Sequence, residues 1–269
     1  MGQMQIRQFI GFTGLSLAAL FAGCGEEGVD EAAEASSAVM ASNALSVNAL
    51  SANALSANAL SANALSANAL SANALSANAL TATALRDPLA REFLKYVVSC
   101  ALPASEKLTV KVDGRSYTFP GSLGLAPQWS GDGGSCDVTC QRWVSACVLA
   151  RVDFAGIERP ISLRGDHAKL RATAVELRDY TSREATYYGN LFGEGQKRYL
   201  CLAPGLTSND RVCGPSLDNC PMKVMGSCSE VCARPGRQGS FTECAVDGSA
   251  SDTQPVPTMS ETVTVFLPR

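Results

Sequence analysis

Ten cysteines lie between Cys100 and Cys244, and an eleventh, Cys24, stands alone near the N-terminus. The ten are Cys100, Cys136, Cys140, Cys147, Cys201, Cys213, Cys220, Cys228, Cys232 and Cys244. An even set in an oxidising compartment forms a disulfide framework, with five bridges if every member pairs. Zinc is the competing use of clustered thiols, but oxidation removes the thiolates that zinc needs. The single histidine, His167, excludes a multi-histidine metal site.

The compartment is read from the N-terminus. Residues 1–8 carry the α-amino group and Arg7, and residues 9–23 are an uncharged, largely apolar run. A spanning helix needs about 20 such residues, so this stretch reads as a secretory signal. Its exit, Leu20-Phe21-Ala22-Gly23-Cys24, resembles the signal of bacterial lipoprotein precursors, in which small residues precede a cysteine. The resemblance covers residues 1–24 and implies that Cys24 receives a lipid and becomes the new N-terminus. Phe21 stands where that family more often has Leu, Val or Ile. The plainer alternative is an ordinary cleaved signal with Cys24 incidental. Multiple acyl chains would anchor stably, since each buried CH₂ adds about 0.8 kcal/mol. The expected location is the bacterial cell envelope, on the outer membrane or periplasmic face, with the membrane as partner through Cys24.

Composition then divides the chain. Residues 1–85 hold one basic residue and five acids, Glu26, Glu27, Asp30, Glu31 and Glu34. All 12 prolines follow residue 85, which puts a domain boundary near Arg86. The formal net charge of -3 implies no general attraction to nucleic acid. Residues 24–40 read as an acidic tether.

Residues 41–85 are nine five-residue units: ASNAL, SVNAL, six SANAL copies and TATAL. A period of five rotates leucines around a helix and alternates them across a strand, so neither gains a continuous apolar face. The spacing resembles that of pentapeptide-repeat proteins, which implies a square β-solenoid. The residue order departs from theirs by turning asparagine inward, and two coils bury little core. Partial helix or disorder is the expectation, and the role is a spacer. A flexible chain of 50 residues would hold its ends roughly 40 Å apart, and a helix about 75 Å.

Residues 86–269 read as a cysteine-rich α+β domain. Asp87-Pro88 opens a helix that Pro103 ends. Residues 107–112 and 115–119 alternate around Asp113-Gly114 as a hairpin. Ser135 is expected to cap a helix carrying Cys136, Cys140, Trp143 and Cys147 on one face. Thr181-Ser182-Arg183-Glu184 reads as a capping box opening a short helix through Tyr187 and Tyr188. Residues 198–202 and 262–267 read as strands, 227–233 as a short helix, and 248–260 as an exposed linker. Two helices with cysteines four apart suggest Cys136–Cys232 and Cys140–Cys228, with Cys100–Cys147, Cys213–Cys220 and Cys201–Cys244 completing the set.

No nucleophile elbow, HExxH motif or phosphate loop is present. His167 with Asp166 is a candidate base, though neighbours along a loop usually point apart. Arg164-Gly165-Asp166 resembles integrin-binding loops, and three letters recur by chance. Asp132 and Asp137 flank a glycine-rich turn that offers a weak calcium site. Trp129, Tyr187 and Tyr188 would stack on a ligand or, more commonly, fill a core. No catalytic, metal or cofactor site is assigned from these residues. The organisation is similar to uncharacterised lipoproteins of bacteria with large genomes, which implies no activity. The expected role is a lipid-anchored binding or structural module. The alternatives are a secreted hydrolase using His167 and a thiol enzyme with one reduced cysteine.

Overall fold

The computed structural model describes residues 44–50, 85–129, 136–192, 196–246 and 257–269. Cys24, the signal, the acidic tether, Asp132 and most of the array lie outside the described residues. What is described is α+β and disulfide-rich.

In chain order, β1 (Leu45–Ser46) and α1 (Val47–Leu50) precede α2 (Pro88–Ala101). The hairpin β2 (Lys107–Val112) and β3 (Arg115–Pro120) leads to α3 (Val138–Ala150), then β4 (Val152–Asp153) and β5 (Ser162–Arg164). Next come α4 (Ala174–Asp179), β6 (Ser182–Asn190), β7 (Lys197–Leu202) and α5 (Asp210–Cys213). The chain ends with β8 (Lys223–Ser227), α6 (Cys228–Val231), β9 (Cys232–Pro235), β10 (Phe241–Ala245), β11 (Thr258–Met259) and β12 (Thr262–Leu267).

The main sheet has the order β5-β12-β6-β7-β8, antiparallel except where β8 joins β7. Helix α3 packs on β6 and β12, and α2 packs on α3. A second, three-stranded sheet runs β11-β10-β9. The central strand β6 is covered on both faces: Tyr187 joins the main core, while the next residue, Tyr188, joins the core of the second sheet. Successive strand residues point to opposite faces, so one dipeptide serves two cores.

Several elements form where local chemistry put them. The Asp87 carboxylate accepts from Leu89 N at 2.9 Å with Pro88 at the first helical position. The hairpin turns on Asp113 and Gly114 with φ of 48° and 80°, which suits a two-residue turn with both central residues left-handed. Its apolar face, Leu108, Val110, Val112 and Phe119, closes over Ala90, Leu94 and Val98 of α2.

Other expectations are corrected. Residues 182–190 are a strand, not a helix. A capping box does open a helix nearby, but at Thr173 and Glu176: Glu176 N donates to Thr173 Oγ1 at 3.2 Å and Thr173 N to Glu176 Oε2 at 2.8 Å. Asp137, not Ser135, caps α3 by accepting from Cys140 N at 2.8 Å. That places Cys136 before the helix. The expected helix at 227–233 is the single turn α6, after which Cys232 begins β9.

These changes redirect the sulfurs. Cys100–Cys147 joins α2 to α3, and Cys213–Cys220 closes a local loop, both as spacing suggested. The other three expected pairs give way to Cys136–Cys140, Cys201–Cys228 and Cys232–Cys244. Two facing helices would have been needed for the crossed pairs. Instead Cys136 is free of helical geometry and reaches Cys140, while Cys232 and Cys244 are direct partners across β9 and β10. Residues 258–259, expected in an exposed linker, form β11 and bury Met259.

The domain also begins earlier than the composition boundary. Leu45, Ala49 and Leu50, from the first two repeat units, are 0% exposed and belong to the main core with Phe93, Tyr96 and Val97. Burying a leucine contributes about 1.5–3 kcal/mol, so these units are part of the fold rather than only a spacer.

Candidate functional site

The residues singled out in the sequence do not converge. His167 is partly buried at the start of a short 3₁₀ turn, where Lys169 N donates to its Nδ1 at 3.2 Å. Its ring meets Trp143 edge-on at 5.2 Å. Burial, with the nearby Lys169 charge, holds the imidazole below its ordinary pKa. Asp166 does not orient it: its carboxylate accepts from Arg237 N at 3.0 Å. A base without a nucleophile or an orienting carboxylate lacks the parts of a hydrolytic site.

The Arg164-Gly165-Asp166 string cannot present itself as a loop. Arg164 lies in β5, with its guanidinium donating to the Tyr180 and Glu176 carbonyls at 2.6 and 3.1 Å and stacked 3.7 Å from the Phe266 ring. Asp137 is occupied as a helix cap. Trp129 is buried edge-on to Phe192, and Tyr188 stacks on Tyr199 while its hydroxyl donates to the Ala245 carbonyl at 2.8 Å. The three aromatics are core, not a stacking platform.

Sequence reasoning did not find a buried polar cluster built from Glu184, Tyr187, Asn209 and Arg211. Arg211 Nη2 meets Glu184 Oε2 at 2.6 Å and its Nε meets Glu184 Oε1 at 2.9 Å. Tyr187 donates to Glu184 at 3.0 Å, and Asn209 Nδ2 donates to Tyr187 at 2.8 Å. Arg211 Nη1 adds the Val152 carbonyl at 2.6 Å. Burial alone would lower the guanidinium pKa, but the Glu184 charge and its hydrogen bonds outweigh it and hold the group raised. Burial pushes the Tyr187 phenol up. Every member is buried and paired with another, so the cluster clasps β6 to α5 and β4 and offers no free group to a substrate.

Sulfur chemistry is likewise committed. Cys201, Cys228 and Cys232 bring three sulfurs within 4.8 Å of one another, with Cys201 and Cys232 at 3.7 Å. Both bridges through this cluster are closed, and a metal binds thiolate rather than disulfide sulfur.

The feature that accepts a ligand-like segment is the groove between α2 and β4 that seats residues 44–50. Strand β1 pairs in parallel with β4, Leu45 with Val152 and Ser46 with Asp153. Leu45 N donates to the Arg151 carbonyl at 3.1 Å, Ala44 N to the Tyr96 hydroxyl at 2.9 Å and Ser46 N to Glu92 Oε1 at 2.7 Å. Arg198 Nη1 holds the Leu50 carbonyl at 3.1 Å. Beneath lies Arg151, which burial brings down to about 10 and whose Nη1 donates to Ser99 Oγ at 2.8 Å. Tyr96 is a buried residue of α2. Glu92, Arg151 and Arg198 carried no sequence signal, because their roles depend on a segment far from them in the chain.

Compared with known proteins, the chain matches no family model, no curated protein and no solved structure. No described helix is long and apolar enough to cross a membrane.

Proposed function

We propose that this is a lipid-anchored cell-envelope protein that presents a disulfide-stabilised binding or structural module at the end of a repeat-bearing tether. The observation that carries the reading is the sulfur count. Five bridges use ten cysteines, and the eleventh is Cys24, the residue that the lipoprotein-like exit sequence would lipidate. Closed bridges suit an oxidising compartment. The lipid supplies attachment, the acidic tether lifts the module from an anionic surface, and the domain meets whatever the envelope presents. A hydrolase built on His167 gains no support from the surroundings of that ring.

The test is the intact mass of protein extracted from the envelope, alkylated without reduction. The expected species starts at Cys24, carries acyl mass and takes up no alkyl group. An unlipidated species would overturn the anchor. An alkylated cysteine downstream would restore the thiol-enzyme reading at that residue.

A further inference from the structure

The groove that holds residues 44–50 recognises features that the array repeats. It uses three backbone N–H groups, of Ala44, Leu45 and Ser46, and the carbonyl of Leu50. Any peptide supplies those. Among the described side chains of the segment it buries Leu45, Ala49 and Leu50, and Ser46 Oγ folds back to accept from Ala49 N at 3.1 Å.

The seated heptad reads Ala-Leu-Ser-Val-Asn-Ala-Leu. The same string with alanine for Val47 recurs at residues 49–55, 54–60, 59–65, 64–70, 69–75 and 74–80. Each recurrence keeps both leucines, the serine and the penultimate alanine. A groove that reads only those features cannot distinguish the seven heptads except at the valine position.

We propose that the groove between α2 and β4 is a peptide-binding site for Ala-Leu-Ser-x-Asn-Ala-Leu, filled interchangeably by successive heptads of the chain's own array. The proposal stands apart from the lipid anchor, although with an anchor it acquires a use. Seating a later heptad moves residues from the stretch between the groove and Leu85 to the stretch before the groove, five at a time. Loop-closure entropy changes slowly with length, so one such step costs little. Tether reach is then set by which heptad is seated, and the repeat period becomes the step size.

The test uses the full chain in three forms: Leu45→Asp, a variant with residues 51–80 replaced by Gly/Ser of equal length, and the two combined. Leu45 belongs to the seated heptad but to none of the six that follow. Interchange predicts that Leu45→Asp alone shifts the thermal midpoint by less than about 2 °C, because residues 49–55 take over. The Gly/Ser variant keeps the native heptad and its midpoint. The combination loses about 5 °C or more, or fails to fold. A synthetic acetyl-ALSANAL-amide restores part of the loss in any folded combined variant, and a peptide with aspartate at its first leucine does not.

A single Leu45→Asp change that destabilises as much as the combination would overturn the proposal by showing one fixed register. A combination that loses nothing would overturn it by showing that the groove does not need its occupant. A midpoint of Leu45→Asp that rises with protein concentration would also overturn it, since the replacement heptad would then come from a second copy. Failure of the peptide to restore a folded combined variant counts equally against it.

Discussion

Glu184 and Arg211 are 27 residues apart in sequence and meet in a part of the molecule that water does not reach. Their pairing contributes less than its short contacts suggest, because both charges had to be desolvated. Breaking it is another matter. Glu184→Ala leaves the Arg211 guanidinium buried without its counter-charge, and the expected loss in urea unfolding is about 3–5 kcal/mol. The Glu184→Ala/Arg211→Ala pair should lose less than the sum of the single changes. His167 offers a second test at this scale, since it is the one histidine in the chain. Its pKa is lowered in the folded protein, so between that value and about 6.5 the unfolded chain binds more protons. Stability therefore rises with pH through this window and falls on acidification. Unfolding measured from pH 5 to 7 should show that slope, and His167→Gln should flatten it. None of this chemistry could be read along the chain. The partners of Glu184 and Arg211 are set by how β6 faces α5, and sequence spacing carries no trace of that.

At the scale of elements, legibility followed the range of the interactions that build each piece. Helix α2 and the β2–β3 hairpin are specified within a few residues, by Asp87-Pro88 and by Asp113-Gly114, and they form where those signals stand. Strand β6 misleads because a capping motif at 181–184 follows a genuine one at Thr173 and Glu176. Sheet pairing on both sides decides the conflict, and a local motif cannot report it. The bridges repeat the lesson. Cys100–Cys147 joins two helices that are each legible along the chain, whereas Cys232–Cys244 depends on a strand register that appears only once β9 and β10 pair. Loop size should rank their contributions. In the chain-entropy account, Cys100–Cys147, with a sequence separation of 47, stabilises by about 4 kcal/mol, and Cys136–Cys140, with a separation of 4, by about 2 kcal/mol. Paired Cys→Ser changes at each bridge, compared by chemical denaturation, should show that order.

For the molecule as a whole, composition located the boundary at Arg86, and packing moved part of it to residue 44. The array carries no charge, glycine or proline to mark where folding begins. Leu45, Ala49 and Leu50 are nonetheless in the core, because the groove supplies from outside the apolar face that a period of five denies a free helix or strand. The placement has a mechanical meaning. Cys100 is the first cysteine in any of the five bridges, so a pull from the N-terminal end reaches the seated strand β1 before any covalent clasp. In a force-extension experiment, the first yield should release the chain up to Leu85, a lengthening of at most about 140 Å at full extension. The bridged core should yield only later and incompletely. A trace with no early step would count against this, whereas the expected one describes a fuse that gives way under load and resets when the load is gone.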